Sequence, residues 1–133
     1  MNTKAMLIRQ QRPLTRGLAS GGIAIALLAG CSASGRPATS EWSETWNEAQ
    51  ELVPTEQEFA EGGRAYCDQL LGQLRTELPA LTPSPSESID PALDAWSNQL
   101  RTLAFECPSN PSIIRHELSK LHDFETEIAA VLP

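Results

Sequence analysis

The sequence predicts an all-α fold, a small three- to four-helix bundle in the part of the chain after residue 40. Three observations support this prediction. Apolar residues recur at helical spacing through four separate stretches. Residues typical of helix starts and stops, such as Thr55, Pro54 and Asn110, bound those stretches. No stretch shows convincing alternation of apolar and polar residues, and β-branched residues are few, so strands are not expected.

The first 30 residues have a charge pattern that is typical of targeting rather than of a fold. Four basic residues come first, namely Lys4, Arg9, Arg12 and Arg16. An uncharged apolar run of 14 residues follows at 17–30, and no acidic residue precedes it. As a helix this run spans about 21 Å, whereas a bilayer core is roughly 30 Å thick. The run is therefore interpreted as part of a signal peptide, residues 1–30, in preference to a transmembrane helix. Either Met1 or Met6 can be the start, because both keep the three arginines.

The apolar run ends in an aliphatic residue, two small residues and a cysteine: Leu28, Ala29, Gly30 and Cys31. These residues resemble the lipobox of bacterial lipoprotein precursors, and the resemblance covers only the first 31 residues. It implies that a diacylglyceryl group joins the Cys31 sulfur, that signal peptidase II cleaves between Gly30 and Cys31, and that an acyl chain such as palmitate follows in many bacteria. Such lipid would anchor the chain at the extracytoplasmic face of the cell membrane. The alternative is an ordinary signal peptide with an incidental cysteine.

Three cysteines are an odd number for an exported chain. Lipidation of Cys31 leaves Cys67 and Cys107, and an exported location permits a disulfide between them. Such a bridge closes a loop of about 40 residues, which the chain-entropy model values at roughly 4 kcal/mol. Two free buried thiols or a redox pair are the alternatives. Neither cysteine belongs to a Cys-x-x-Cys motif, so the sequence favours the structural disulfide.

Residues 31–40 are expected to be the lipidated cysteine and a flexible tether, because they are small or polar and lack apolar periodicity. The helical domain is then expected at 41–133. Its first helix is predicted to begin at Ser40 as cap and to stop at Pro54. One apolar face of this helix carries Trp42, Trp46, Ala49 and Val53.

The second helix is predicted from a capping box at 55–58. Gly62 and Gly63 interrupt its apolar face and mark either a kink or the close approach of another helix. That face carries Phe59, Tyr66, Cys67, Leu70, Leu71, Leu74 and Leu78. Pro-rich residues 79–91 form a loop.

The third and fourth helices share one kind of start. Asp90 followed by Pro91, and Asn110 followed by Pro111, each place a capping residue before a proline at the first helical position. The third apolar face carries Leu93, Trp96, Leu100, Leu103 and Cys107. The fourth carries Ile114, Leu118, Leu121, Phe124 or Glu125, Ile128 and Val131.

No catalytic, metal-binding or cofactor-binding motif is complete. His116 and Glu117 begin the zinc-protease pattern His-Glu-x-x-His, but Lys120 occupies the place of the last histidine. His122 lies about 240° from His116 around a helix axis, so the two cannot share a metal. The sequence therefore predicts no catalytic residues, no metal site and no cofactor.

Charge restricts the partners. After position 30 there are 17 acidic and six basic residues, a net charge of −11. This excludes nucleic acid, whose phosphates need a basic face, and disfavours electrostatic binding to anionic lipid. One face of the first helix is acidic and carries Glu41, Glu44, Glu48 and Glu51. It is interpreted either as a solvated face or as a docking surface for a basic protein partner.

These observations favour a non-enzymatic, membrane-anchored interaction or binding module of the cell envelope. The main alternative is a carrier of a small ligand or metal, with a pocket between helices. That pocket would be lined by Trp42, Trp46, Trp96 or Tyr66. An enzyme is the third hypothesis, and no motif in the sequence supports it.

Overall fold

The computed structural model describes residues 35–132, and within them the predicted all-α fold is confirmed. These residues form four α-helices, one short 3-10 helix and no strand. The helices are α1 (Thr39–Gln50), α2 (Glu56–Glu77), the 3-10 helix (Leu78–Leu81), α3 (Asp90–Glu106) and α4 (Pro111–Val131). The predicted signal peptide and Cys31 lie outside the described residues.

The bundle centres on α3, which packs along α4 and also against α2, while α1 packs on the 3-10 helix. Three tryptophans connect these helices in the core. Trp42 stacks on Trp46 with ring centroids 5.6 Å apart, and Trp46 meets the edge of Trp96 at 4.8 Å. The indole N–H of Trp42 donates to the Leu81 carbonyl at 2.9 Å. The indole N–H of Trp96 donates to Glu125 at 3.1 Å, so burial of these two rings leaves both polar groups paired.

Two of the predicted helix starts are confirmed in atomic detail. The Thr55 hydroxyl accepts from the Glu58 N–H at 3.2 Å, and the Glu58 carboxylate accepts from the Thr55 N–H at 2.7 Å. This reciprocal pair is the predicted capping box. At α4 the Asn110 side chain accepts from the Ser112 N–H at 2.9 Å, and Pro111 occupies the first turn.

The other two predicted caps are wrong. Helix α1 already begins at Thr39, and the flanking Ala38 provides no side-chain cap, so Ser40 lies inside the helix. Asp90 also lies inside its helix, as the first residue of α3 after Ile89. Its carboxylate binds Arg36 and Ser84 instead of the backbone of the first turn.

The predicted disulfide joins α2 to the C-terminal end of α3. Cys67 and Cys107 are bonded, with their Cα atoms 5.9 Å apart. Cys107 ends α3 in the left-handed conformation, at φ 48°. Its sulfur lies 3.5 Å from the carbonyl oxygen of Gly63, which brings the end of α3 against the interrupted part of α2.

Gly63 produces a kink in α2, which is one of the two structures predicted for the Gly62–Gly63 pair. Its φ of 57° and ψ of −151° interrupt the helical backbone of α2. Side chains with a Cβ rarely adopt this region, which is nearly exclusive to glycine. The kink turns the first part of α2 away from the axis of the part that carries Cys67.

Replacing Gly63 by Ala should destabilise the domain by about 1–3 kcal/mol, because the backbone must stay in a region that alanine avoids. No atom lies within 4 Å of the added Cβ, so the cost comes from the backbone and not from a clash. Gly72→Ala is the matched control, since it also meets no atom within 4 Å and lies at ordinary helical geometry. It should stabilise by roughly 0.5–1 kcal/mol. Urea unfolding followed by tryptophan fluorescence measures both, and equal effects of the two changes would contradict the assignment.

Candidate binding site

Most basic side chains of the described residues are neutralised by carboxylates of the same chain. Four of the six form ion pairs of 2.9–3.3 Å. These pairs are Arg36 with Asp90, Arg64 with Asp68, Arg115 with Glu56, and Lys120 with Glu117. Within residues 35–132, Arg75 and Arg101 are the two that remain without an ion pair.

Arg75 and Arg101 line the same groove, which runs between α2 and α3 and has a volume of about 330 Å³. The apolar lining comes from Leu71, Leu74 and Phe105, and Thr102 completes it. Leu74 is fully buried, whereas the Phe105 side chain is 68% exposed, the largest exposure of any large apolar side chain among residues 35–132. The groove therefore combines two unpaired guanidinium groups with accessible apolar surface.

Local sequence explains why these two arginines lack partners on their own helices. Side chains three and four residues apart are neighbours on a helix surface. Those positions around Arg75 hold Leu71, Gly72, Leu78 and Pro79, and those around Arg101 hold Ser97, Asn98, Ala104 and Phe105. None is acidic, in contrast to Arg64, whose partner Asp68 lies one turn further along α2. The groove is thus a cationic site on a domain of net negative charge.

Two contacts restrain the backbone around Phe105. The Arg64 guanidinium donates a hydrogen bond of 3.0 Å to the Phe105 carbonyl oxygen. Two residues later, Cys107 is fixed by its disulfide. The backbone that presents the exposed ring is therefore restrained at Phe105 itself and at Cys107. The sequence patterns alone do not indicate Phe105, Arg75 or Arg101 as functional residues.

The predicted acidic face of the first helix is exposed. Glu41, Glu44 and Glu48 lie along α1, and Glu51 directly follows it. None of the four takes part in an ion pair within the described part of the chain. The structure therefore presents two open surfaces of opposite charge, the groove and this face.

A polar network attaches the N-terminal end of the described chain to the loop before α3. One Arg36 nitrogen donates to Asp90 at 3.0 Å, and the other donates to the carbonyl and hydroxyl oxygens of buried Ser84, each at 3.1 Å. Hydrogen bonds, first from Arg36 and then from Ser84, lower the pKa of Asp90 below its ordinary value of 3.8, while desolvation opposes them. Arg36 is bound to the domain and α1 begins at Thr39, so the C-terminal half of the expected tether at 31–40 belongs to the folded part.

The tryptophans proposed to line a carrier pocket are core residues. Trp42, Trp46 and Trp96 are 0–4% exposed, and Tyr66 is half-buried against the edge of Phe59. Trp42 alone among these three tryptophans reaches a cleft of about 370 Å³ beside Arg36, which is open to solvent.

The histidines lie on the surface of α4. His122 is 3.6 Å from Glu125, and Glu117 of the broken zinc-protease pattern is occupied by Lys120 and Gln99. Residues 35–132 contain no cluster of three His, Cys, Asp or Glu side chains suited to a metal ion. The same residues contain no helix with the length and hydropathy to cross a membrane.

No protein-family model, no curated protein and no solved structure matches this chain.

Asp90→Asn should destabilise the domain in a pH-dependent manner. The lowered pKa means that ionised Asp90 contributes its stability fully above about pH 4, and that this contribution is lost as the pH falls through the folded-state pKa. The Asp90 side chain is still 41% exposed, so screening by solvent limits the loss to about 1 kcal/mol. The difference between wild type and variant should therefore be largest near pH 7 and shrink below pH 4.

Urea unfolding between pH 2 and 7 measures this difference. Asp123→Asn, on the exposed surface of α4, is the matched control. A gap between wild type and Asp90→Asn that stays constant across the range would show that the Arg36 contact does not depend on the Asp90 charge.

Proposed function

We propose that this chain is a bacterial lipoprotein whose helical domain is a non-enzymatic interaction module, held by lipid at the extracytoplasmic face of the cell membrane. The observation that carries the proposal is the direct succession of lipobox and folded domain. Four residues, 32–35, separate Cys31 from Arg36, where the domain begins. A chain of five residue steps extends at most about 18 Å.

This short connection limits how far the domain can lie from the membrane. With lipid on Cys31, the domain would lie close to the membrane, attached through the Arg36 end of the bundle. The three longer helices have 17–22 residues and are about 25–33 Å long, so the bundle would project its surfaces into the envelope. Partners anchored in or near the same membrane would meet the domain at high effective concentration.

The distribution of side chains favours an interaction module over a carrier. The aromatic side chains that would line a ligand pocket are packed against each other in the core. The chemically distinctive groups, namely the acidic face of α1 and the groove with Arg75 and Arg101, are open to solvent. Open surfaces of this kind suit contact with another macromolecule better than enclosure of a small ligand.

Cys31→Ala expressed in a bacterial host should lose both lipid and cleavage. The wild-type chain should be recovered from membranes with the mass of residues 31–133 plus the attached lipid. The variant should lack that lipid mass and keep residues 1–30, because the sulfur that accepts the lipid is gone. Intact mass spectrometry after fractionation decides this, with Ser32→Ala as the control. A mass difference between wild type and Cys31→Ala that equals the Cys-to-Ala substitution alone would contradict the proposal.

The acidic face of α1 favours a basic protein partner, since its exposed carboxylates have no ion pairs among the described residues. Long-range attraction should then accelerate the encounter and weaken with salt. Lysine-rich peptides should associate more slowly as salt rises from about 20 to 500 mM, over which the Debye length falls from roughly 20 to 4 Å.

A variant with Gln at positions 41, 44, 48 and 51 should lose most of this salt dependence in stopped-flow association experiments. A control with the same loss of charge changes four exposed acidic residues elsewhere, namely Glu61, Glu106, Asp123 and Glu127. If the two variants slow association equally, the face of α1 has no special role in attracting the peptide.

A further inference from the structure

We infer that the groove between α2 and α3 is a docking site for an acidic, amphipathic helical segment of another protein. The inference is independent of the lipid anchor, because every residue that carries it lies in the described domain. Its occupant would place an apolar side chain against Phe105 and Leu71 and carboxylates beside Arg75 and Arg101.

Charge complementarity specifies the acidic character of the occupant. The groove lining contains two guanidinium groups and no carboxylate, and neither guanidinium is paired within the described residues. The Debye length is about 8 Å at physiological salt, so charges in direct contact dominate over the more distant acidic surface. A segment with carboxylates on both sides of an apolar side chain would therefore complete ion pairs that the domain itself leaves unmade.

Shape specifies the helical character. Small-molecule sites bury most of their ligand, and this groove is open to solvent along its length. Two packed helices present a furrow in which a third helix can lay its apolar face, with anchors spaced three or four residues apart. Phe105, 68% exposed, supplies the aromatic contact that such interfaces commonly use.

A second copy of this chain does not fit the same requirement. In a two-fold dimer through the groove, each copy would bring the same cationic patch to the interface. Arg75 and Arg101 would then face like charges across an apolar contact, which is unfavourable. Helix α1 cannot serve as the acidic segment either, because its apolar face is buried in its own core at Trp42, Trp46 and Ala49.

The test uses a display library of helical peptides. Leucine is fixed at three positions of one face, and the flanking positions are drawn equally from Glu, Lys, Gln and Ser. The target is the chain as it is recovered from its host, at 0.15 M salt, held in nanodiscs of zwitterionic lipid if it is recovered from membranes. We expect Glu to be enriched beside the leucines. General attraction to a body of net charge −11 predicts the opposite, an enrichment of Lys.

Variants of the chain then locate the contact. The double variant Arg75→Gln/Arg101→Gln should bind the selected acidic peptide about tenfold more weakly, the effect of losing two exposed ion pairs. Phe105→Ser should reduce binding at least as much. The control Asn47→Asp/Ser119→Asp changes net charge equally at exposed positions of α1 and α4, and Ile113→Ser removes a different exposed apolar side chain. Neither control should change the affinity more than about twofold.

Each contrary outcome overturns the inference in a recognisable way. Enrichment of Lys that is lost when the α1 glutamates are replaced would assign recognition to the acidic face instead. The groove would be a membrane contact if no acidic peptide is selected and the chain binds phosphatidylglycerol vesicles in a way that Phe105→Ser weakens. A dimer that Phe105→Ser dissociates in sedimentation would make the occupant a second copy. Selection of no peptide at all would leave the groove without this role.

Discussion

The disulfide between Cys67 and Cys107 is the constraint on which the arrangement of α2 and α3 depends. It ties the middle of one helix to the end of the other and lies directly beside the Gly63 kink. Leu71 lies one turn after Cys67, and Phe105 lies two residues before Cys107. A covalent bond therefore helps to fix the two walls of the groove relative to each other. The distance between the side chains of α2 and those of α3 that line the groove does not depend on packing alone.

The rest of the small core is organised around three tryptophan rings. They connect α1, the 3-10 helix, α3 and α4 through stacking and through hydrogen bonds from two indole N–H groups. A domain of about 100 residues has a limited apolar core, and large aromatic rings bury more area per residue than aliphatic side chains do. The same rings that suggested a ligand pocket in the sequence are thus explained by the requirements of folding.

Local patterns were predictable from the sequence, whereas contacts between distant residues were not. The capping residues Thr55 and Asn110 act within three residues of their own positions, so the sequence contains the whole interaction. Asp90 has the same local appearance, but its carboxylate binds Arg36, which is 54 residues earlier. No local rule anticipates that competition, and for the same reason the expected tether extended into residues that are bound to the domain.

The sequence alone does not reveal the groove, because its only local sign is the lack of acidic neighbours around one arginine on each of two helices. A helical face with arginine and no acidic neighbour at three or four residues is visible in the sequence at Arg75 and again at Arg101. What the sequence lacks is the packing that brings both to one furrow beside Phe105. An amphipathic pattern indicates which face of a helix is buried, and it is silent on which polar faces become neighbours.

The Arg36 network also determines how the domain responds to mechanical load. Tension applied to the chain from its N-terminal side first reaches Arg36, which is joined to Ser84 and Asp90, before it reaches α1. Force is thereby passed to the start of α3, the helix with the most extensive packing in the bundle. Helix α1 and its tryptophans carry no load as long as the hydrogen bonds of Arg36 to Ser84 and Asp90 remain intact. A load that arrives from the N-terminal side is therefore borne by the hydrogen bonds of one guanidinium group before it reaches the helices.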